Sequence, residues 1–545
     1  MSQASTAIGR ALRAAPTLAL LAALSAFWLL FHLAAPGTRF RAWNVDPELT
    51  YLFAALAALR GAPYAYVEHP GMPLTLTGAA LLRVARALGA WPGDAGSAVL
   101  ARPEPFFVGV HALLGLGCLL CVVLVARGAR LGPGPGAAVL AAACAASFFA
   151  VQPHAFFWTV YWSHNALAFP LGAALLALMG RAVREGALPS APASLLLGLG
   201  AGTLAASQLY FAAWVAGAAA LPLAVALLGG QAWRRAAVAA AAALAGGLLA
   251  FAAWTLPMRA SYPRLIGFVR ALVTHQGLYG AGPAGVVSAS GWAVNLMGLL
   301  ASAPALFALL ALLGALVAAG WARAGAGARA LALVLLLQAG LLLLAFGKHP
   351  SPFYLPALAA HVPALMALAF AGWSQQPAGR LLCAALAVLV LAGFAIALGR
   401  DASALCARLR FRTAMESAVS ARLEAAAAWT GAPPLLLWAP GIADARCYSL
   451  WSSDQYVEGV LAAEVARACP SEGMAWSNRA VVPPGRGSDE PALLVGLETT
   501  PRVFPAFAAL GAPELSDVRD PSGARVAFFR VAVRDGRMLA WSPRP

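Results

Sequence analysis

The sequence predicts an all-α polytopic membrane protein with about eleven transmembrane helices, followed by a small extracytoplasmic domain of α/β or β-rich structure. Three observations favour this fold class. Hydrophobic residues fill 61% of the 545 positions and charged residues only 11%, whereas a soluble protein carries about 25% charged residues. The apolar residues gather in runs long enough to span a bilayer. Beyond about residue 400 the runs shorten to β-type segments between Pro and Gly turns.

The predicted spans are apolar runs of about 20 residues, the length that a helix needs to cross the hydrocarbon core. They lie at 15–35, 106–127, 134–152, 165–182, 191–209, 211–230, 235–256, 293–319, 328–346, 354–373 and 380–399. The Ala- and Gly-rich runs between 191 and 256 have the least distinct boundaries. The first run ends in "WLLFHLAAPGTRF", which lacks a small-residue cleavage site, so we predict a retained signal anchor.

Basic residues set the predicted orientation, because short cytoplasmic loops carry an excess of Lys and Arg. If Arg10 and Arg13 are cytoplasmic, the long loops 36–104 and 257–292 lie outside, as does the segment 400–545. Short and mostly basic turns then fall on the cytoplasmic side, at 126–130, 181–186, 231–235, 321–330 and 375–380. The Ala/Gly/Arg-rich composition is typical of a GC-rich bacterial genome, so the predicted location is the inner (plasma) membrane, with a periplasmic C-terminal domain.

The formal net charge of +16 has the same explanation, since a positive excess in a membrane protein usually lies in its cytoplasmic loops. Contact with anionic lipid headgroups or lipid phosphates is the alternative. No stretch of the sequence indicates binding to DNA or RNA. Membrane lipids are therefore predicted partners, and nucleic acid is not.

Two domains are predicted. The first, 1–400, is the transmembrane domain and includes the first extracytoplasmic loop at 36–104; the second, 401–545, is a periplasmic soluble domain. A helix at 412–429 is predicted to precede the strands of the second domain. Cys447 and Cys469 lie in this domain, where an oxidising compartment allows a disulfide, and whether they pair stays open.

The first extracytoplasmic loop contains several of the chain's few acids, in the stretch "NVDPELTYLFAALAALRGAPYAYVEHPG" at 44–71. The part after Pro47, "ELTYLFAALAALRG", has apolar residues on one face and ends in Gly, so it predicts a short amphipathic helix at the membrane surface. The run "LTGAALLRVARALGAW" at 76–91 predicts a second helix of this kind. Between them, "APYAYVEHPGMP" is typical of a turn interrupted by Pro and Gly.

The pattern of this loop after a first span resembles the glycosyltransferases of the C superfold, which include protein mannosyltransferases and bacterial aminoarabinose and other polyprenyl-phosphate-sugar transferases. The matching positions are Asp46, Tyr51, Ala58, Gly61, Tyr64, His69, Pro70, Gly71 and Leu74. The later loop "GKHPSPFYLPALAAHVPAL" is similar to the family's segment of Lys or Arg, Tyr and Pro before a late span. The resemblance implies a glycosyltransferase C-type membrane fold over 1–400 and a hexosyl- or pentosyltransferase that acts on the outer face.

Asp46 is the residue to which the resemblance gives the catalytic role. The acceptor hydroxyl must lose a proton as it attacks the anomeric carbon, so a carboxylate near it would act as general base. A single displacement of this kind inverts the anomeric carbon, and the departing lipid phosphate needs no acid. The alternative for Asp46 is structural: in "DPEL" an Asp precedes Pro at a helix start and fits an N-cap.

The resemblance also implies substrate-binding roles for Glu48, Tyr51, Glu68 and His69 in the first loop. Glu48 equally suits the first turn of a helix, where the dipole favours an acid. Glu68 could orient His69 or the acceptor, or it could be a solvated loop acid. His69 could bind acceptor or phosphate, or it could stabilise the turn.

Cations of the predicted outer face are the candidates for binding the donor's phosphate, namely Arg259, Arg264, Lys348 and His349. Arginine can grip phosphate oxygens with a fork of N–H groups, whereas lysine acts as a point charge. Contact with lipid headgroups at the span ends is the alternative. Tyr354 could add a hydroxyl donor or could anchor the chain at the membrane interface.

Many members of the family carry a second acid in the outer loop after the third span, but the corresponding loop here, "QPHAFFWTVYWSHNALAFP", contains no Asp or Glu. His164 is the candidate for a supporting role there; otherwise Asp46 acts alone or the acceptor differs. Since hard divalent cations are usually coordinated by several carboxylates, no divalent metal is expected, and no other cofactor is expected. The polyprenyl-phosphate sugar is a substrate, and the acceptor could be a glycan, a lipid or a protein.

A membrane transporter is the main rival function from another class. Transporters often place ionisable residues within their spans, whereas the acids here cluster at the outer interface. An oligosaccharide ligase and a structural assembly protein of the envelope are two further candidate functions. Replacement of Asp46 with Ala separates an enzyme, which should lose turnover, from a scaffold.

Overall fold

The structure is a computed structural model of the chain. It describes residues 3–33, 48–62, 71–90, 95–129, 135–183, 187–276, 280, 282–430, 434–439, 446–476, 479–483, 488–503, 505–510, 512–534 and 537–540. The chain forms two compact units. The membrane unit consists of Met1–Trp28, Val67–Leu74 and His111–Asp401, and the loop–tail unit consists of Leu29–Tyr66, Thr75–Val110 and Ala402–Pro545. The predicted division into domains at residue 400 stays a prediction.

Helices dominate the structure up to residue 430, and strands appear only after it among the residues described. The helices, numbered along the chain, are α1 (Gln3–Leu33), α2 (Glu48–Leu59), α3 (Met72–Ala87), α4 (Ala95–Ala101), α5 (Glu104–Gly128), α6 (Pro135–Val151), α7 (Ala155–Val160), α8 (Ala174–Ala182), α9 (Ala191–Ser207), α10 (Ala212–Gly229), α11 (Trp233–Thr255), α12 (Tyr262–Thr274), α13 (Ala289–Ser302), α14 (Pro304–Ala319), α15 (Ala326–Lys348), α16 (Leu355–Ala359), α17 (Val362–Trp373), α18 (Pro377–Thr430), α19 (Arg446–Tyr456), α20 (Ala462–Ala468) and α21 (Thr500–Val503). The predicted all-α membrane fold with a small C-terminal domain is confirmed.

Among the residues that the structure describes, eight stretches of helix are long and apolar enough to cross a membrane. They are Ala14–His32, Glu104–Gly128, His164–Ala182, Leu209–Gly229, Trp233–Thr274, Ala326–Lys348, Pro352–Trp373 and Pro377–Ala426. The predicted span 293–319 corresponds to the pair α13 and α14, and the predicted spans 134–152 and 191–209 correspond to the shorter helices Gly136–Val151 and Ala191–Ser207. The protein is therefore a multi-pass membrane protein, and the number of eleven crossings stays a prediction.

The predicted span 293–319 is not one straight helix, because α13 and α14 meet at an angle of 102°. Ala303 lies at the break with φ −145° and ψ 59°, and Pro304 is the first residue of α14. A proline ring disfavours the helical conformation of the residue before it. The bend therefore follows from the local sequence "SAPAL".

Two glycines on α9 allow it to lie directly against α11. A Cβ atom at Gly198 would lie 2.0 Å from the carbonyl oxygen of Ala243, and one at Gly202 would lie 2.1 Å from that of Gly247. Small residues four positions apart permit this close approach between membrane helices, whose association depends on packing rather than on the hydrophobic effect. The Gly- and Ala-rich composition of this region is thus explained by the contact between the two helices.

The last long helix, α18, continues without a break for 54 residues, so the helix predicted at 412–429 is present as the last part of α18. The sequence from Asp401 to Thr430 contains neither Gly nor Pro, hence no residue in it interrupts the helix. At about 1.5 Å per residue the helix is about 80 Å long, whereas the hydrocarbon core of a bilayer measures about 30 Å.

The C-terminal segment contains a seven-stranded mixed sheet of order β4-β1-β2-β3-β7-β6-β5. Its strands are β1 (Leu435–Trp438), β2 (Glu472–Trp476), β3 (Arg479–Val481), β4 (Ser488–Leu497), β5 (Glu514–Arg519), β6 (Arg525–Arg534) and β7 (Arg537–Ala540). Strand β1 pairs in parallel with β2 and β4, and β4 also pairs with β6. Leu437, Leu494 and Val531 lie in its buried core. The predicted α/β or β-rich domain is therefore present.

Cys447 and Cys469 form a disulfide, the pairing that the sequence left open. Cys447 lies in the first turn of α19, and Cys469 follows the last residue of α20. The bond therefore ties together the two helices that follow β1.

Helix α2 occurs where the first loop predicted it, and its position at the membrane surface stays a prediction. Its first ten residues, from Glu48 to Ala57, are all buried. It packs against α19, so a distant part of the chain covers this helix. Helix α3, by contrast, confirms the second predicted helix and keeps exposed positions along one face, at Thr77, Ala80 and Val84.

Candidate active site

The predicted base, Asp46, lies outside the described residues, as do Glu68 and His69. Their roles stay predictions. Glu48 is the first residue of α2 and is fully buried, and so is Tyr51 one turn later. An acid in the first turn of a helix interacts favourably with the helix dipole, which agrees with the structural alternative for Glu48.

The C-terminus of α2 is closed by the glycine that the sequence marked as its end. Gly61 has φ +70°, and its N–H donates to the carbonyl of Ala58 at 3.1 Å, while the N–H of Ala62 donates to the carbonyl of Ala57 at 3.1 Å. This pair of bonds is the Schellman motif, which requires a left-handed residue at this position. Arg60, just before the glycine, turns its side chain towards Glu464, and Nη2 lies 2.6 Å from Oε1.

The loop that the sequence showed to lack an acid has an acid next to it in the structure. Oδ1 of Asp401 accepts from Nε and Nη2 of Arg400, each at 3.0 Å, and lies 3.9 Å from Nδ1 of His154. The Asp401 side chain is fully buried, whereas the His154 side chain is 55% exposed. His154 has φ +58°, a left-handed conformation that few residues other than Gly adopt. Sequence reasoning missed Asp401; its one signal was an acid immediately beyond the last predicted span.

His164 and Asn165 lie in a short 3₁₀ turn, His164–Leu167, and both are buried. The hydroxyl of Tyr210 donates to Oδ1 of Asn165 at 2.9 Å, and the Tyr210 ring packs against Tyr354 with centroids 5.1 Å apart. Tyr354 is also stacked on Phe346. Tyr354 is thus part of a packed aromatic cluster beside the acid-free loop, and its role as a hydroxyl donor to the substrate stays a prediction.

The side chains of Lys348 and His349, at the end of α15, contact the C-terminus of α12. Nζ of Lys348 donates to the carbonyl of Val273, and Nε2 of His349 lies 3.3 Å from the carbonyl oxygen of Leu272. A helix leaves its last carbonyls without partners inside the helix and has a negative end there, so a lysine at this place caps it. The late loop is therefore attached to the amphipathic helix α12.

Arg264 belongs to the first turn of α12, and Arg259 belongs to the 3₁₀ turn before it. Both side chains are exposed. Nine residues separate Arg264 from Val273, which is about 13 Å along a helix. The structure thus places Lys348 and His349 at one end of α12 and the two arginines at the other. Arg259 makes no ion pair with any residue in the described part of the chain.

An apolar cavity of about 520 Å³ lies among the helices from α13 to α17. It extends from Leu296 and Leu300 on α13, past the bend, to Val317 and Trp321. On α15 the lining includes Leu343, which is five residues from Lys348 and therefore about 7 Å from it along the helix. This cavity is an apolar space among the membrane helices, and α15, which provides part of its wall, continues beyond the lining to Lys348.

The described residues contain no group of three or more His, Cys, Asp or Glu side chains that could bind a metal ion. Asp401 with His154 and Arg400 brings together one carboxylate, one imidazole and one guanidinium.

No protein-family model matches the chain, and no curated protein sequence matches it. Solved structures are similar to it at low identity. ArnT from Cupriavidus metallidurans bound to undecaprenyl phosphate is 15% identical over 94% of this chain and 98% of that one, with a TM-score of 0.44; the apo state of the same protein is 14% identical over the same shares, with a TM-score of 0.45.

The archaeal oligosaccharyltransferase AglB from Archaeoglobus fulgidus, in complex with an inhibitory peptide and a dolichol-phosphate, is 15% identical. The similarity covers 72% of this chain and 56% of that one, with a TM-score of 0.41. At these values the substrate and mechanism of this chain have to be argued from its own residues.

Proposed function

We propose that this protein is a membrane glycosyltransferase of the C-type fold, which transfers a sugar from a polyprenyl phosphate to an acceptor at the periplasmic face. The observation that supports this most is the apolar cavity between α13 and α17, whose wall helix α15 ends at Lys348. A polyprenyl phosphate combines a flexible hydrocarbon with an anionic head. Its site therefore needs an apolar space within the membrane and a cation at the outer end of that space.

The size of the cavity supports a lipid chain as the occupant. Its volume of about 520 Å³ lies within the range of roughly 300–1,000 Å³ that small-molecule sites occupy. Leu, Ala, Phe and Val provide nearly all of the lining. Such a wall favours hydrocarbon and gives no hydrogen bonds to a sugar, so the sugar would remain outside at the level of the phosphate.

In the proposed reaction, Asp46 takes the proton of the acceptor hydroxyl as its oxygen attacks the anomeric carbon. The bond from that carbon to the phosphate oxygen breaks, and its electron pair leaves with the lipid phosphate. A single displacement of this kind inverts the anomeric carbon. Cations near the phosphate would stabilise the charge that grows on it in the transition state.

Lys348 is the best placed of the proposed phosphate-binding residues, since it ends the helix that provides part of the cavity wall, five residues after Leu343. His349 is beside it, and both also fix the end of α12. Arg259 and Arg264 lie at the other end of that helix. They would bind the headgroups of the surrounding lipids or the remaining part of the donor's headgroup. The periplasmic location of this face, and the cytoplasmic N-terminus, follow from the positive-inside rule.

The positions of the acids favour this proposal over a transporter. In the eight candidate spans the only acids are Glu104, which begins α5, and those of α18 from Asp401 onward. An ionisable residue near the bilayer centre is the usual mark of a transport pathway. The acids here lie instead at the start of α5 or beyond the apolar run 380–399 of α18.

The proposal is tested with the full chain in native membranes or nanodiscs, supplied with a panel of single-sugar polyprenyl phosphates and an envelope extract as acceptor. Release of free polyprenyl phosphate measures turnover. Asp46→Asn should lower the rate by about 10²–10⁴, the usual contribution of a general base. Asp94→Asn, which changes another acid of the same loop, serves as the control and should leave the rate unchanged. Normal turnover in Asp46→Asn would overturn the proposed mechanism.

A second variant tests the donor site. Lys348→Ala should raise KM for the lipid donor, because the anionic head loses a cation, while Lys348→Arg should restore most of the affinity. An unchanged KM in Lys348→Ala would remove this residue from the donor site. No release of polyprenyl phosphate from any sugar donor by the unmodified chain would overturn the proposed function itself.

A further inference from the structure

Helix α2 is built into the C-terminal part of the chain. Ten of its twelve residues are buried, and it packs against α19, which lies almost 400 residues later in the sequence. In the same unit α4 packs against α20. Two segments of the first extracytoplasmic loop are thus packed on two helices of the C-terminal segment.

Arg60 makes the polar connection between these parts. Its Nη2 lies 2.6 Å from Oε1 of Glu464, and its Nη1 donates to the carbonyl oxygen of Val460 at 3.3 Å. The Arg60 side chain is 34% exposed and that of Glu464 is 10% exposed. Ion pairs on an open surface contribute little to stability, but Glu464 is mostly removed from water and therefore depends on its partners.

Arg467 completes the connection. Its Nη2 lies 3.2 Å from Oε1 of Glu464 and donates to Oγ of Ser97 at 2.8 Å. One glutamate on α20 is therefore shared by an arginine at the end of α2 and by an arginine that contacts α4. We call this set the Arg60–Glu464 clamp, which consists of Arg60, Ser97, Glu464 and Arg467.

The electrostatics of Glu464 agree with this geometry. Burial by itself would raise its pKa, but the hydrogen bond from Arg60 and the charges of Arg60 and Arg467 outweigh burial and lower the pKa. The carboxylate thus stays ionised and paired near neutral pH.

We propose that the C-terminal domain positions helix α2, and that Arg60 and Glu464 are positioning residues for the transfer reaction. The inference rests on the proposed function, in which Asp46 is the base. Asp46 precedes the first residue of α2 by only two positions in the sequence. A shift or rotation of α2 would therefore also displace the chain at the N-terminal end of this helix. Arg60 directly follows the last residue of α2, so its contacts hold the opposite end of the helix.

Catalysis is sensitive to such shifts. A misplacement of about 1 Å between reacting groups can cost about 10²-fold in rate, even when the change lies far from the chemistry. Loss of the clamp should therefore lower kcat. It should leave KM for the lipid donor nearly unchanged, since the proposed donor cations belong to α12 and the turn before it, and to α15 and the loop after it.

The test is a double-mutant cycle with the full chain in nanodiscs. Arg60→Ala and Glu464→Gln should each lower kcat by about 10- to 100-fold, and the double variant should lose no more than the worse single variant, because the two residues act through one contact. Arg60→Lys, which can still reach the carboxylate, should recover most of the rate. The matched control is the pair Arg422 and Glu514, which is in contact at 2.5 Å elsewhere in the same unit; Arg422→Ala and Glu514→Gln should leave kcat unchanged.

A second readout does not depend on activity. Hydrogen exchange of the backbone amides in 48–59 should become about tenfold faster in Arg60→Ala, because α2 opens locally more often, and Arg60→Lys should reverse this. Unchanged exchange in Arg60→Ala would overturn the clamp, whatever the enzyme's activity. Faster exchange with normal kcat would overturn the positioning role. If the unmodified chain consumes no sugar donor, the proposed function fails and the positioning role fails with it, while exchange still decides whether the clamp exists.

Discussion

Asp401 and His154 lie side by side although 247 positions separate them in the sequence, with 3.9 Å between Oδ1 of the acid and Nδ1 of the imidazole. The acid belongs to α18, and the histidine belongs to the loop before α7. This contact gives the loop at 152–165 the acidic neighbour that its own sequence lacks. It also joins the last long helix to an early loop within the membrane unit.

Removal of the Asp401 carboxylate should destabilise the membrane unit. Asp401 is fully buried and accepts two N–H groups from Arg400, and hydrogen bonds to charged groups contribute about 1.5–3 kcal/mol. Asp401→Ala should lower the free energy of unfolding by about that amount, and Asp401→Asn, which keeps one acceptor oxygen, by less. Thermal unfolding followed by tryptophan fluorescence measures the effect.

The control for this change is Asp517→Ala, since Asp517 is exposed on β5 and a surface substitution usually changes stability by under about 0.5 kcal/mol. Equal stability of Asp401→Ala and the unmodified chain would mean that the contact with Arg400 and His154 contributes nothing to the fold.

The contact between α9 and α11 predicts an unusual sensitivity to one methyl group. Gly202→Ala would put a Cβ atom 2.1 Å from the carbonyl oxygen of Gly247, so the two helices would have to move apart. Such overpacking typically costs about 1–3 kcal/mol. Gly340→Ala, at a position with no atom within 4 Å of the new Cβ, should instead stabilise α15 slightly, by about 0.4–1 kcal/mol.

Chemical or thermal unfolding of the two glycine variants in the same detergent gives the comparison. If Gly202→Ala were as stable as Gly340→Ala, the close approach of α9 to α11 would be incorrect.

Asp454 predicts a pH dependence of the C-terminal domain. Burial raises its pKa to about 6, although the backbone N–H of Leu461 donates to it. Between the usual pKa of an aspartate, about 4, and 6, the folded state binds more protons at this site than the unfolded state. The stability of the folded state therefore falls as the pH rises through this window. Above it, the buried Asp454 carboxylate is ionised and its destabilising effect is complete.

Asp454→Asn should remove this dependence, because the amide stays neutral and its oxygen still accepts from Leu461. The stability that Asp454→Asn gains over the unmodified chain should therefore be larger at pH 7 than at pH 4.5. Hydrogen exchange of residues 446–468 at the two pH values measures it, with Asp517→Asn as the control. An identical pH profile in Asp454→Asn would contradict the raised pKa.

The disulfide between Cys447 and Cys469 should stabilise the two helices that follow β1. It closes a segment with a sequence separation of 22 residues, for which the loss of entropy in the unfolded chain corresponds to about 3 kcal/mol. Replacement of both cysteines by Ser should lower stability by an amount of that order, and reduction of the unmodified chain should do the same.

Cys406→Ser provides the matched control for the disulfide, since Cys406 is a free thiol on α18. Because α20 also carries Glu464, loss of the disulfide should loosen the Arg60–Glu464 clamp as well and speed hydrogen exchange in α2. Stability equal to that of Cys406→Ser would show that the bond adds nothing to the folded domain.

The sequence by itself determined which segments form helices and, for α2, where the helix ends. Runs of apolar residues marked the membrane helices, and Gly61 marked the end of α2 through its left-handed conformation. Pro304 contained the information for the bend at α13 and α14, although apolar length alone suggested one straight span. These features are local, because they depend on residues within one or two turns of each other, and local patterns can be read directly from a sequence.

The tertiary structure alone decided which distant residues meet. Nothing in the neighbourhood of Arg60 points to Glu464, which is 404 positions away, and nothing near His154 points to Asp401. The sequence predicted Lys348 as a cation of the outer face, but its contact with the end of α12 required both helices to be in place. The burial of α2 has the same origin: its own residues specify a helix, and α19 covers it because folding brings together segments whose order along the chain carries no record of the contact.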